Sequence, residues 1–151
     1  MRLTISTLNT SVPAERSALM RRVRQRDTTP ELRVRRALHA MGFRFRVQRR
    51  DLPGSPDIVL PRHRLAIFVH GCFWHRHAGC RMASTPKTRV EFWSEKFARN
   101  IERDRANVAR LETLGWRVGI VWECETKNAA VLAQILGAVV APLDSVTVRD
   151  R

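Results

Sequence analysis

Two thiols and two imidazoles fall within nine residues, Cys72-Phe73-Trp74-His75-Arg76-His77-Ala78-Gly79-Cys80, and a third thiol, Cys124, follows 44 positions later. Thiolate and imidazole are the usual donors to zinc, which takes four of them in a tetrahedron. Three cysteines and one histidine would close such a site and leave no position for a reacting water, so the expected metal is structural. It would staple the 71–80 loop to the segment around Cys124. Spacing alone leaves His75 and His77 both open as the fourth donor. Whichever stays off the metal is free for proton chemistry. The bland alternative, three unrelated buried thiols, is weakened by their crowding into one loop.

The acids are few among many arginines. Asp57 follows Pro53-Gly54-Ser55-Pro56 and opens the apolar run Ile58-Val59-Leu60. A carboxylate at the mouth of a sheet can hold Mg²⁺ against a phosphate, because that ion prefers oxygen and keeps several waters. Such an ion activates water and neutralises charge on phosphorus. Glu31 can support it from the first turn of a helix. By residue type alone, turn-capping for Asp57 and helix-start placement for Glu31 remain the commoner explanations. His70 and His75 flank the thiol loop, where an imidazole can move a proton or touch a phosphate. Phe73, Trp74 and Trp93 supply flat side chains that can wedge between bases. Helical spacing also suits Trp93 to a core.

These residues need elements to hold them. Asp27-Thr28-Thr29-Pro30-Glu31 reads as a helix start, with Val34, Leu38 and Met41 as its apolar stripe and Gly42 as its end;. Phe43, Phe45 and Val47 alternate with Arg44, Arg46 and Gln48, the pattern of a half-buried strand;. Residues 57–60 form a short strand, and Leu65–His70 a central one;. Residues 71–87 are loop. A long helix over 89–114 carries Val90, Trp93, Phe97, Ile101, Val108, Leu111 and Leu114, and Gly115 stops it. Arg117–Trp122 is a strand, and Lys127–Val140 a helix with Val131, Ile135 and Val139 on one side. The order α-β-β-β-α-β-α predicts an α/β fold with a mixed sheet flanked by helices.

The whole chain, 151 residues, is about one domain's worth;. With 28 Lys+Arg against 14 Asp+Glu, its net charge is +14, and 44% hydrophobic residues exclude a disordered polycation;. That charge points to a polyanion, above all nucleic acid. No membrane-spanning run is present, the first sixteen residues lack a secretory apolar core, and three cysteines make an odd count for a disulfide framework;. An intracellular nucleic-acid protein, monomeric by default, is expected.

Taken together, Arg26-Asp27-Thr28-Thr29-Pro30-Glu31, Phe45-Arg46-Val47-Gln48, Leu52–Asp57, Phe68-Val69-His70-Gly71-Cys72-Phe73-Trp74-His75, Glu91-Phe92-Trp93 and Gly115–Cys124 resemble the very-short-patch repair (Vsr) endonucleases over about residues 16–124. The resemblance implies a restriction-endonuclease-like (PD-(D/E)XK-type) core with structural Zn²⁺ and catalytic Mg²⁺. It implies nicking of duplex DNA 5′ to the thymine of a T:G mismatch, the product of 5-methylcytosine deamination. Carried over by motif, Asp57 and the Val69 backbone carbonyl would bind Mg²⁺, His75 would be the catalytic histidine, and His70 and Glu31 its supports. Cys72, His77, Cys80 and Cys124 would bind Zn²⁺. Phe73, Trp74 and Trp93 would intercalate beside the mismatch, with Met20 entering from the other groove. Val69 stands where a form of the family has Thr, and the His77–Cys80 loop is one residue longer than the family pattern. Implied partners are mismatched DNA and mismatch-repair proteins, in a bacterial cytoplasm at the nucleoid. The implied layout is an arm over 1–16, an endonuclease domain over 17–142 and a tail over 143–151. A non-catalytic zinc-containing nucleic-acid reader, or a nicking nuclease of other specificity, are the alternatives.

Overall fold

The computed structural model describes residues 26–142; Met20 and the expected arm and tail lie outside the described residues. Helix α1, Thr29–Ala40, starts where its sequence directs. The Thr28 hydroxyl accepts the Glu31 backbone N–H at 3.3 Å, and Pro30 occupies the first turn;. Val34 and Leu38 are fully buried. Met41, the expected third member of that stripe, is exposed, because the helix ends at Ala40 and Met41 is already its C-cap. Gly42 and Gly115 each follow a helix at φ +90°, a backbone shape that a Cβ opposes;.

The sheet runs in spatial order β1 (Arg46–Val47), β2 (Ile58–Leu60), β3 (Leu65–His70) and β4 (Arg117–Trp122). The first two pairings are antiparallel, and β3–β4 is parallel. Parallel neighbours need a crossover, which helix α2, Val90–Thr113, provides;. After β4 comes a short 3₁₀ segment, Glu123–Lys127, and then helix α3, Ala129–Val140. The architecture is thus the expected mixed sheet flanked by helices.

Alternation along the strands splits the core into two layers. On one side Ile58, Leu60, Leu65, Ile67 and Val121 meet Val34 and Leu38 of α1 and Leu132, Leu136 and Val140 of α3. On the other, Val59, Ala66 and Phe68 meet Leu111 of α2 and Trp116. Helix α3 lies so close to β4 that a Cβ on Gly119 would stand 2.5 Å from Val139 Cγ1.

Three further expectations shift. The strand over 43–48 shortens to Arg46–Val47, and Val47 is exposed. It is an edge strand, and Gln48 turns left-handed at φ 51°, so only Phe43 and Phe45 reach the core. In α3 the most buried residues are Leu132, Leu136 and Val140, one position on from Val131, Ile135 and Val139. Val90, Ile101 and Leu114 of α2 are exposed although Phe97 and Leu111 are buried. A 24-residue helix is about 36 Å long, whereas the six residues of β3 span about 20 Å, so α2 overhangs the sheet;. The overhang carries the aromatic residues.

β3 and β4 end side by side, His70 opposite Trp122. β2 runs the other way, so Asp57, just before its first residue, lies at that same edge. This edge positions Asp57, His70, the thiol loop and Cys124.

Candidate active site and metal centre

The thiol loop leaves β3 and folds back on itself through short backbone bonds: His77 N–H donates to the Cys72 carbonyl at 3.0 Å, and Cys80 N–H to that of His77 at 3.3 Å. Arg76, left-handed at φ 56°, ties the loop down by donating to the carbonyls of Phe73, Ala83 and Ser84. Cys124 arrives from the end of β4. The donor atoms of Cys72, His77, Cys80 and Cys124 all lie within 4.8 Å of one another. His77 Nδ1 stands 3.7 Å from Cys72 Sγ and 3.4 Å from Cys124 Sγ. Ligands about 2.0–2.3 Å from a tetrahedral metal are about 3.4–3.8 Å apart, so these spacings fit one ion. Burial pushes the Cys72 thiol up to about 12. A cation among the sulfurs reverses that penalty. The His77 ring lies flat on Trp122, centroids 4.3 Å apart, which fixes its orientation.

His75 takes no part in this cluster. Its ring stacks on His70 at 3.8 Å and 6°, and its Nδ1 lies 2.6 Å from Asp104 Oδ2. Spacing left His75 and His77 both open as the fourth donor; in the fold His77 faces the sulfurs and His75 faces a carboxylate. A carboxylate only accepts, so Nδ1 carries a hydrogen, and Nε2 is the ring nitrogen that faces away from Asp104;. His70 is buried, its edge against Trp122. Burial, with the neighbouring His75 charge, holds its pKa down to about 4, so it is neutral at physiological pH;.

Asp104 is absent from the sequence reading. It sits in Glu102-Arg103-Asp104-Arg105, which looks like an ordinary solvated helix face. The available signal is periodicity: Asp104 lies seven residues after Phe97 and seven before Leu111, the two buried positions of α2. An acid in register with an apolar stripe needs a partner.

Asp57 forms the second half of the site. The Val69 backbone N–H donates to its Oδ2 at 2.7 Å, and Gln48 N–H donates to its carbonyl at 3.1 Å. Among the described residues no hydrogen bond joins Asp57 to His70 or His75; the connection is β3 itself, Val69 holding Asp57 and the next residue being His70. Burial, and then the charge of Glu31, push the Asp57 carboxyl up to about 7 against the Val69 bond. Glu31 is buried, its Oε2 accepting from Asp27 N–H at 2.9 Å and Arg35 at 3.3 Å. Burial likewise raises its pKa. Two partly desolvated carboxylates share this region, and Asp57 has one backbone donor; such an oxygen set suits a hard divalent ion.

This yields a stability prediction. The Asp57 carboxyl titrates near 7 in the fold against 3.8 otherwise. The stability it contributes is complete below about pH 4, where both states hold the proton, and is lost as pH rises through 7. At pH 8 the ionised group should destabilise the fold on the order of 2–4 kcal/mol. Asp57→Asn keeps an acceptor for Val69 N–H and removes the charge. It should raise the Tm by several degrees at pH 8 in buffer without added divalent ions, and hardly at all at pH 4. Equal Tm values at pH 8 would contradict the burial argument.

The aromatics gather where α2 overhangs. Phe73 meets Trp74, Trp93 and Phe97 edge-on at 5.1, 5.6 and 5.3 Å. Asn100 Nδ2 donates to the Trp74 carbonyl at 3.1 Å, tying the loop to the helix. Cations crowd them: Lys96 lies over Trp74 and Arg89 over Phe92, an exposed ring beside Trp93. Trp93 is half-buried in this cluster, so both its core and its surface reading hold in part.

Residues 9–81 match the family model described as DNA mismatch endonuclease Vsr. The chain is 48% identical over 130 residues to the type II nicking enzyme V.XorIIP of Xanthomonas oryzae pv. oryzae, covering 86% of this chain and 95% of that one. It is 52% identical over 115 residues to the DNA mismatch endonuclease Vsr of Escherichia coli K12, covering 76% and 73%. Among solved structures, the catalytic domain of the homing endonuclease I-Bth0305I aligns with a TM-score of 0.48 and 22% identity, over 74% of this chain and 93% of that one.

Proposed function

We propose, on the premise that this chain belongs to the Vsr family of DNA mismatch endonucleases and is a DNA endonuclease, that it is a Mg²⁺-dependent enzyme nicking duplex DNA 5′ to the thymine of a T:G mismatch. The observation that supports this best is the pairing at one sheet edge of a base held by a carboxylate with a second, partly buried carboxylate. His75 is locked to Asp104, and Asp57 is held by the residue preceding His70.

Asp57, supported by Glu31 and joined by the Val69 carbonyl, would hold Mg²⁺. When bound, that ion supplies charge neutralisation at phosphorus and acidifies a water. His75 Nε2 takes the proton of the attacking water as its oxygen bonds to phosphorus and the opposite P–O bond breaks. Asp104 holds the ring in the accepting tautomer and stabilises the imidazolium. Neutral His70, stacked beneath, keeps the ring plane fixed without adding a competing charge. Cys72, His77, Cys80 and Cys124 would hold Zn²⁺ as a closed structural site.

Recognition follows from the basic surface and the aromatic overhang. Arginines and lysines track phosphates. Phe73, Trp74 and Trp93, with Met20 from the other groove, would part the stack. Unstacking a step takes on the order of a few kcal/mol, less where a mismatch has already weakened it. In this reading residues 17–142 are the endonuclease domain, flanked by an arm and a tail. The enzyme works as a cytoplasmic monomer beside mismatch-repair proteins. No described helix is long and apolar enough to cross a membrane.

The names of several relatives, type II nicking enzymes, favour a second reading in which a fixed site context selects the strand. A nicking panel tests both. All mismatches and matched duplexes, in several contexts, are incubated with protein plus Mg²⁺ or a chelator. The expected result is a Mg²⁺-dependent nick beside the thymine of T:G. Nicks confined to another mismatch would move the specificity, and no metal-dependent nick on any duplex would leave a non-catalytic reader.

A further inference from the structure

We infer that Arg35 is a positioning residue for the acidic half of the site: it locks Glu31 in place and tempers the pull of that region on a divalent cation. The inference rests on the catalytic reading above. Arg35 stands on α1 one turn beyond Glu31. One terminal nitrogen donates to Glu31 Oε2 at 3.3 Å and the other to Asp27 Oδ1 at 2.8 Å. The same Glu31 oxygen accepts the Asp27 backbone N–H, so the carboxylate is held from two directions.

The burial of this pair is what calls for an explanation. An i,i+4 ion pair that only supports a helix lies in solvent and contributes little. Here the Arg35 side chain is 16% exposed and that of Glu31 4%. The Nε of Arg35 is buried and has no hydrogen-bond partner among the described residues. Desolvating a guanidinium and leaving one N–H unpaired is unfavourable. The arrangement makes sense if the charge acts on the acids around it, and those are Asp27, Glu31 and Asp57. The Arg35 charge favours ionised Asp57 while that of Glu31 opposes it. Without Arg35, Glu31 would keep the Asp27 N–H and the Thr28 hydroxyl but lose its cationic partner, and would be repelled by Asp57.

The two consequences pull in opposite directions. Removing the guanidinium makes the region more negative, so a divalent cation should bind more tightly. Glu31 loses its anchor, so turnover should fall. A residue that merely stabilises α1 would weaken both or change neither.

The test uses zinc-loaded, full-length Arg35→Gln and Arg35→Lys. Mn²⁺ is the probe, followed by electron paramagnetic resonance at pH 8.5, counting only the site that Asp57→Asn abolishes. For Arg35→Gln the expected result is a Mn²⁺ Kd at least about threefold tighter. On a T:G duplex its kcat should be about tenfold lower at saturating Mg²⁺, with KM within about twofold. Arg35→Lys keeps the charge, so its Mn²⁺ Kd should match the wild type while kcat lies between the two. Weaker Mn²⁺ binding in Arg35→Gln, or an unchanged kcat, overturns the inference. If Arg35→Gln lacks a cooperative melt, Arg35→Lys decides, and weakened Mn²⁺ binding in that variant overturns the inference. A wild-type protein that fails to nick overturns the catalytic reading, and the Mn²⁺ measurement still judges Arg35.

Discussion

Asp57→Asn should abolish nicking, by on the order of 10³-fold in single-turnover rate, while leaving the affinity for mismatched duplex within about threefold. The carboxylate is half-buried at the sheet edge and held by one backbone N–H, which the amide oxygen can still accept. The amide cannot neutralise a divalent ion, so the loss falls on chemistry. In the proposed reading, binding rests on arginines and aromatic rings elsewhere on the surface. Rates on a T:G duplex and fluorescence anisotropy separate the two quantities. A variant that nicks like the wild type would remove Asp57 from the mechanism. The pH dependence has a definite sign. The carboxyl, pushed up to about 7 by burial, must shed its proton before it can bind a cation. Nicking at limiting Mg²⁺ should therefore rise through pH 7, and the midpoint should move to lower pH as Mg²⁺ increases, because ion and proton compete for one oxygen pair. A midpoint indifferent to Mg²⁺ would argue against Asp57 as the binding group.

Loss of the thiol-bound metal should unfold the protein. The expected content is one zinc per chain by elemental mass spectrometry. Cys124→Ser, or a strong chelator, should eliminate the cooperative melt and the near-ultraviolet circular dichroism. Structural zinc in small domains contributes about 10–16 kcal/mol, as large as the roughly 5–15 kcal/mol that keeps a domain folded. The position of Cys124 explains the size of the effect. It bridges the end of β4 to a loop 52 residues away, with its N–H on Cys72 Sγ at 3.4 Å. Without the ion that loop, which carries Phe73, Trp74 and His75, keeps its short turns, Arg76 and its contacts to α2 through Asn100 and Asp104, but loses the metal tie to the end of β4. Refolding with Co²⁺ should restore both the melt and the d–d absorption of a tetrahedral thiolate site. A metal-free chain that melts like the zinc form would show the cluster to be dispensable.

Much of the frame was legible because it follows from short-range chemistry. β3 and β4 coincide with their apolar runs, and α1 begins at the Thr28 cap. α2 spans nearly the expected length and stops before Gly115. The positions that differed are those where a neighbour decides. Val47 is exposed because β1, among the described residues, has no strand on its outer side. In α3 the choice between Val131 and Leu132 as the inward residue depends on the angle at which that apolar helix meets the sheet. A helix apolar on most sides carries little information about which side will be covered.

Residue type and local spacing alone determined that this chain is a basic α/β domain with a thiol–imidazole loop and an acid at a strand mouth. These are properties of segments a few residues long, governed by dihedral preference, periodicity and ligand chemistry. The family resemblance implied His77 for the sulfurs, but only the tertiary structure put its ring against them, paired His75 with Asp104, buried Glu31 against Arg35, and set Asp57 on the Val69 N–H. Apart from Glu31–Arg35, neighbours within one helix, and the reach of His77 to Cys72 and Cys80 inside one loop, those pairs join residues 12 to 47 positions apart. Such contacts arise when a sheet edge and a crossing helix converge, and no local pattern encodes where they meet.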